Sequence, residues 1–120
     1  MNTVTSTSEI SAQLREYIDK QVAQRPIEAK IIKRICRTLR EAGTPITQTH
    51  DGMDFTAVHN TQDVLDQAFN LDEVTVFTAD GHGIYLTMGQ EWDTICDYHL
   101  VLEATLEPIM EWVCSAGENE

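Results

Sequence analysis

Residues 45–58, PITQTHDGMDFTAV, mark the point where helical periodicity gives way to strand-like alternation. Polar and apolar residues alternate on both sides of Asp51-Gly52. An Asp-Gly pair between two alternating runs is typical of a β-hairpin closed by a type I′ turn. The segment therefore predicts a chain that is helical before residue 44 and forms a sheet after it.

Two amphipathic helices are predicted in the first 43 residues. Ser6 and Glu9 have the spacing of a capping box at the start of the first helix. Pro26 ends that helix or opens the second one, and Gly43 ends the second. Apolar residues at helical spacing form a stripe on each helix (Ile10, Leu14, Ile18 and Val22; then Ile27, Ile31, Ile32, Ile35, Cys36 and Leu39). Residues 6–43 thus predict a helical hairpin.

Strands dominate the remainder of the sequence. Residues 72–78, 83–89 and 91–98 predict three strands in addition to the first hairpin, and residues 60–69 predict a short helix capped by Asn60 or Thr61. Residues 100–113 predict a closing helix with a kink or restart at Pro108. We expect one α+β domain spanning 1–120, with an antiparallel sheet of four to five strands in residues 44–114 and tails at 1–5 and 115–120.

Charge is distributed very unevenly along the chain. Residues 1–40 hold all eight Lys and Arg against four acids, whereas residues 41–120 hold sixteen acids and no Lys or Arg. Phosphate groups repel carboxylates, so direct binding of nucleic acid or of an anionic membrane by the larger part is not expected. The row of basic residues on the second helix has four alternative interpretations. It is a solvated face, a contact for nucleic acid, a partner for the acidic part of the chain, or a contact with a second copy.

The sequence offers no sign of export or membrane insertion. Its start lacks the basic and apolar regions of a signal peptide, and no run approaches the ~18 apolar residues of a membrane span. The three cysteines are widely spaced and form no C-x-x-C motif. We therefore expect a cytoplasmic protein with reduced, buried thiols, without a cofactor and without a metal site.

Several Asp and His residues are candidates for chemistry. Cys96 with His99 or His82 has the composition of a nucleophile and its base. A metal-binding or enzymatic alternative would use a set of carboxylates and imidazoles (Asp80, His82, Asp93, Asp97 and His99). The spacings match no compact motif, so a hairpin turn at residues 79–83 and a buried structural thiol are the favoured interpretations, and no catalytic residue is predicted.

The closing helix carries carboxylates that repel one another. Glu103, Glu107 and Glu111 follow one another at i, i+4 spacing, which costs a few tenths of a kcal/mol per pair. A helix optimised for stability alone would place a Lys among them, so this row indicates a surface that is negative for another reason. The predicted partner-binding carboxylates are exposed and gather on one face (Asp63, Asp66, Asp72, Glu73, Glu103, Glu107 and Glu111).

Residues 89–113, GQEWDTICDYHLVLEATLEPIMEWV, resemble the C-terminal part of small uncharacterised phage and prophage proteins. Those proteins carry an aromatic-Asp-x-Ile-x-Asp-Tyr strand followed by a Leu-Glu-x-x-Leu-x-Pro helix. The matching positions in this chain cover about a quarter of its length (Trp92, Asp93, Ile95, Asp97, Tyr98, Leu102, Glu103, Leu106 and Pro108). The resemblance implies no activity.

In size and charge the chain is similar to bacterial DNA-mimic proteins, which occupy the DNA-binding sites of histone-like proteins, repressors or defence nucleases. This similarity implies a non-enzymatic protein, monomeric or homodimeric, that binds a basic nucleic-acid-binding partner. The first alternative is an immunity or antitoxin protein that neutralises a basic toxin. The second is the small enzyme or metal-binding module described above.

Overall fold

The computed structural model describes residues 11–118, which form four α-helices and a five-stranded antiparallel sheet, as the α+β prediction requires. The helices are α1 (Ala12–Gln24), α2 (Pro26–Glu41), α3 (Thr61–Leu71) and α4 (Glu103–Glu118). The strands are β1 (Ile46–His50), β2 (Phe55–Ala57), β3 (Glu73–Thr78), β4 (Gly83–Thr87) and β5 (Ile95–Tyr98), and 3-10 turns occupy Glu91–Asp93 and Leu100–Leu102. Across the sheet the order is β2-β1-β3-β4-β5.

The first two helices are separated by Arg25 alone. Ser11 caps α1, because its Oγ accepts the N–H of Leu14 at 3.2 Å. Pro26 takes the first position of α2, where the missing N–H has no intrahelical partner to lose. The predicted break at Pro26 is therefore confirmed, whereas the capping pair Ser6 and Glu9, Ile10 and the tail 1–5 lie outside the described residues.

The first β-hairpin forms, but the turn differs from the prediction. His50 pairs with Phe55, so four residues, 51–54, connect β1 to β2. A type I′ turn needs positive φ at two successive residues, and here Gly52 has it (φ 100°) while Asp51 does not. The Asp51 carboxylate instead accepts the N–H groups of Met53 and Asp54 at 2.8 and 2.7 Å, which closes the wider loop and lowers the Asp51 pKa.

The core lies between the helices and one face of the sheet. Alternate residues of β3 and β4 point into it, while α2 contributes the centre of its apolar stripe. The largest fully buried side chains come from helices and central strands (Ile18, Ile31, Ile32, Ile35, Leu39, Val64, Phe69, Val74, Ile84, Leu86, Leu106 and Ile109). The N-terminal helices thus pack as part of the single core.

The end of the chain departs from the prediction in three ways. Residues 91–93 form a 3-10 turn, so β5 begins only at Ile95. The pairing register of β4 and β5 shifts between Tyr85 and Leu86, and Cys96 is exposed rather than buried, as is Cys114. Helix α4 includes Pro108, so the predicted restart is absent, and it extends to Glu118, into the predicted tail 115–120.

Candidate functional site

The seven predicted partner-binding carboxylates fall into a buried and an exposed group. Asp66 is only 1% exposed, and its two oxygens accept hydrogen bonds from Arg15 at 2.7 and 2.6 Å. Gln62 also donates to Asp66 Oδ1, at 2.9 Å. The expected exposure of Asp66 is wrong because α3 packs on α1, and this buried carboxylate is neutralised by a cation of the neighbouring helix.

Asp63 is also buried, with 8% exposure, so its expected exposure is wrong as well. Its Oδ2 accepts the N–H of His59 at 2.8 Å, while Asn60 Oδ1 accepts the N–H of Asp63 at 2.8 Å. Asn60 therefore caps α3, while the Asp63 side chain reaches back to the residue before the cap, in a variant of the capping box. The spacing of Asn60 and Asp63 is visible in the sequence and identifies Asp63 as part of the capping interaction at the start of α3.

Five of the predicted carboxylates are exposed (Asp72, Glu73, Glu103, Glu107 and Glu111). Asp72 follows the last turn of α3 with a positive φ (68°), and β3 begins at the next residue. Glu73 Oε1 accepts the hydroxyl of Tyr85 at 2.6 Å, and this hydrogen bond raises the pKa of Tyr85. Both carboxylates are thus positioned at the α3–β3 junction.

Three surface depressions connect these five carboxylates. One of about 550 Å³ is lined by Asp72, Glu73 and Asp93, and a second of about 410 Å³ is lined by Glu91, Asp93 and Cys114. The third, about 330 Å³, is lined by Cys114 and the glutamates of α4. Asp93 lines the first two depressions and Cys114 the last two, so neighbouring depressions adjoin at a shared residue. We call their combined surface the acidic band (Asp72, Glu73, Glu91, Asp93, Glu103, Glu107 and Glu111).

Sequence reasoning missed Glu91 and Asp93 as members of this surface, together with the residue that positions them. Glu28 of α2 is 3% exposed, and its Oε2 accepts the N–H groups of Gly89 and Glu91 at 2.9 and 3.3 Å. Glu91 has positive φ (51°), a conformation that costs energy in a non-glycine residue. Glu28 thus holds the β4–β5 loop. Its place in the apolar stripe of α2, four residues before Ile32, is the signal that would have identified it.

The acidic band has little compensating positive charge. Within the described residues, the ion pairs are Arg15 with Asp19 and Asp66, and Arg25 with Asp72 at 3.5 Å. Arg34 lies over the ring of Trp112, 4.5 Å from its centroid. The exposed cations of α2 make no ion pair with the described acidic residues (Lys30, Lys33, Arg37 and Arg40).

The residues of the enzymatic or metal-binding alternative do not converge. The rings of His82 and His99 meet edge to face with centroids 6.0 Å apart, and His99 Nδ1 accepts the N–H of Gly83 at 3.0 Å. Asp97 and His99 line one depression, whereas Asp93 and Cys96 line another. Between residues 11 and 118, no three Asp, Glu, His or Cys side chains are arranged to hold a metal ion.

None of the helices in the described part combines the length and apolar character needed to cross a membrane. Comparison with known proteins finds no matching family model, no matching curated protein and no matching solved structure.

Proposed function

We propose that this protein is a non-enzymatic DNA mimic, whose acidic band occupies the nucleic-acid-binding surface of a basic protein. The observation that carries the proposal is the adjacency of the three depressions, which share Asp93 and Cys114 as lining residues. Seven carboxylates line these depressions, and Arg25 is the one described cation within 4 Å of any of them. The partner is a protein such as a histone-like protein, a repressor or a defence nuclease.

The charge density supports imitation of a phosphate backbone by the α4 glutamates together with the other carboxylates of the acidic band. Along α4, glutamates four residues apart give one charge per ~6 Å of helix axis. One DNA strand carries one charge per ~3.4 Å, so the α4 row alone has about half that density. The carboxylates at the α3–β3 junction and in the β4–β5 loop add further charges in the adjoining depressions. An uncompensated field of this kind speeds the approach of a basic partner.

A competition experiment tests the proposal. The immobilised protein captures partners from nuclease-treated bacterial lysate at low salt, and duplex DNA is then added. We expect DNA to release a basic nucleic-acid-binding protein, which is identified by mass spectrometry and purified. A variant with Glu103→Gln, Glu107→Gln and Glu111→Gln should capture less of it, because α4 supplies three charges of the band.

The matched control changes the same number of charges outside the band. Glu41, Asp54 and Asp80 are exposed and line none of the three depressions. The variant Glu41→Gln, Asp54→Asn and Asp80→Asn should capture as much partner as the unmodified protein. Equal losses in both triple variants would show that net charge alone is responsible. A captured protein that DNA never releases would exclude mimicry.

A further inference from the structure

The depression along α4 combines apolar and acidic residues. Its apolar members are Tyr98 of β5 and Met110 of α4, which are half-buried and pack against the core. Three exposed glutamates and Cys114 complete the lining. The residues from α4 lie three or four positions apart and therefore share one face of the helix. The half-buried residues form the apolar floor and the exposed carboxylates form the rim of a shallow, open depression, which we call the groove.

We propose that this groove binds a basic amphipathic helix of the partner protein, an inference that rests on the proposed function. In the bound helix, apolar side chains contact Tyr98 and Met110, while flanking Lys or Arg side chains lie beside the glutamates. From Glu103 to Glu111 the groove follows about 12 Å of helix. Basic side chains at positions i, i+4 and i+8 of a bound helix also span ~12 Å, which matches the length of the glutamate row.

A helix suits the groove better than an added strand, although β5 is an edge of the sheet. The strand has four residues, Ile95–Tyr98, and its register against β4 is interrupted. The N–H of Tyr98 already donates to Asp97 Oδ1 at 2.8 Å. An extended peptide would find a short, irregular edge with one donor occupied, which are features that limit strand addition.

A second copy of the chain is a poorer occupant. Helix α2 presents a row of exposed cations, but its apolar residues are buried or, in Ile27, half-buried. It therefore offers charge without an apolar side chain for the floor of the groove. Two copies with a net charge of −12 each also repel one another at long range. Charge complementarity and the apolar floor together point to a different, basic protein.

The test uses three synthetic peptides of equal composition, each about four helical turns long. The first is an amphipathic helix with Leu on one face and Arg on its flanks. The second contains the same residues distributed around the whole helix. The third contains the same residues as the first, but its proline and a central residue have traded places, so that the proline interrupts the helix. Calorimetry gives affinities, and amide chemical shifts locate the contact. We expect the amphipathic peptide to bind at least tenfold more tightly than the others, with shifts at residues 98–114.

The variant Met110→Glu distinguishes recognition through apolar contact from recognition of charge alone, because the two modes predict opposite changes in affinity. It adds a negative charge but removes apolar contact, so binding of the amphipathic peptide should weaken if the floor is used. Stronger binding would mean that charge alone is recognised. Met110→Gln, which adds no charge, is the second variant and should weaken binding by about threefold to tenfold. A melting curve of each variant confirms that it folds.

Several results would overturn the groove assignment. Equal binding of all three peptides, or shifts on α2 or the open sheet face, would show that no helix is seated there. Shifts at residues 98–114 that depend on protein concentration without peptide would identify a second copy as the occupant. If no peptide binds while DNA still releases a captured partner, the groove inference fails alone. If DNA-releasable capture fails too, the proposed function fails with it.

Discussion

The guanidinium of Arg15 and the carboxylate of Asp66 form a two-point ion pair, with Nη1–Oδ1 at 2.7 Å and Nη2–Oδ2 at 2.6 Å. Asp66 is buried on α3, whereas the Arg15 side chain on α1 is 35% exposed. Parallel hydrogen bonds to a carboxylate are stronger than neutral ones. Arg15, one of the eight cations, therefore joins α1 to α3. Asp66 is buried in this pair and does not contribute to the acidic surface.

Removal of Arg15 should destabilise the fold, because it leaves Asp66 buried without its cation. Breaking a fully buried pair costs about 3–5 kcal/mol, and the partial exposure of Arg15 reduces our expectation for Arg15→Met to about 2–4 kcal/mol. Urea unfolding measures the loss. Arg37→Met, at an exposed position without a described ion pair, should stay within about 0.5 kcal/mol. Equal losses would mean that the Arg15–Asp66 pair contributes nothing.

Glu28→Ala should loosen the β4–β5 loop. The variant removes the acceptor of the N–H groups of Gly89 and Glu91, and the net loss of a typical hydrogen bond that water can replace is about 0.5–1.5 kcal/mol. Hydrogen exchange at these two amides should accelerate more than at the centre of α2. Glu41→Ala, at an exposed site on the same helix, is the control. Unchanged exchange at Gly89 would show that another group holds the loop.

The thiols should divide by reactivity. Burial raises the pKa of Cys36 to about 11, and the thiolate is the reactive form. At pH 8 only about one Cys36 in a thousand would be ionised. We expect Ellman's reagent to react quickly with Cys96 and Cys114, which are exposed, and with Cys36 only after unfolding. Three fast thiols in the native protein would contradict the buried position of Cys36.

The same shift gives a pH dependence of stability. The folded state holds the Cys36 proton more tightly than the unfolded state, whose thiol has an ordinary pKa of 9.0. The contribution of Cys36 is therefore complete below pH 9 and decreases as the pH rises from 9 towards 11. The difference in unfolding free energy between Cys36→Ser and the unmodified protein, measured at several pH values, should shrink over that interval.

Ile35→Ala tests the packing of α2. Ile35 is 1% exposed in the centre of the core, and truncation of a buried isoleucine costs about 2–5 kcal/mol. Lys33→Ala, two residues earlier on the exposed side of the same helix, should change stability by less than about 0.5 kcal/mol. Similar small effects of both substitutions would mean that the stripe of α2 is not buried as described.

Local patterns in the sequence predict the elements of this fold better than its site. Local sequence determines the apolar stripe through Ile31 and Ile35 and the break at Pro26, so the sequence alone predicts both features. The burial of Asp66 depends on Arg15, which is 51 residues away. Likewise, the acidic band depends on the position of Asp93, which lines one depression with the α3–β3 junction and another with α4. Contacts of this kind are set by tertiary packing, and single-sequence periodicity carries no information on them.

The three glutamates of α4 should serve binding rather than folding. They are exposed, and in the described residues none of them has a cation within 4 Å. The combined change Glu103→Gln, Glu107→Gln and Glu111→Gln should leave stability unchanged or raise it by a few tenths of a kcal/mol per relieved pair. The same variant should associate more slowly with the basic partner and show a flatter dependence of affinity on salt, because fewer charges attract the partner.

Stopped-flow association and thermal unfolding at several salt concentrations measure the two effects separately. The control variant Glu41→Gln, Asp54→Asn and Asp80→Asn has the same net charge as the α4 variant but keeps the α4 glutamates. If α4 is the contact, the control should therefore retain most of the association rate and salt slope. A glutamine variant of α4 that binds at the unmodified rate and slope would place the contact elsewhere. In that case the absence of cations after Arg40 would affect solubility alone.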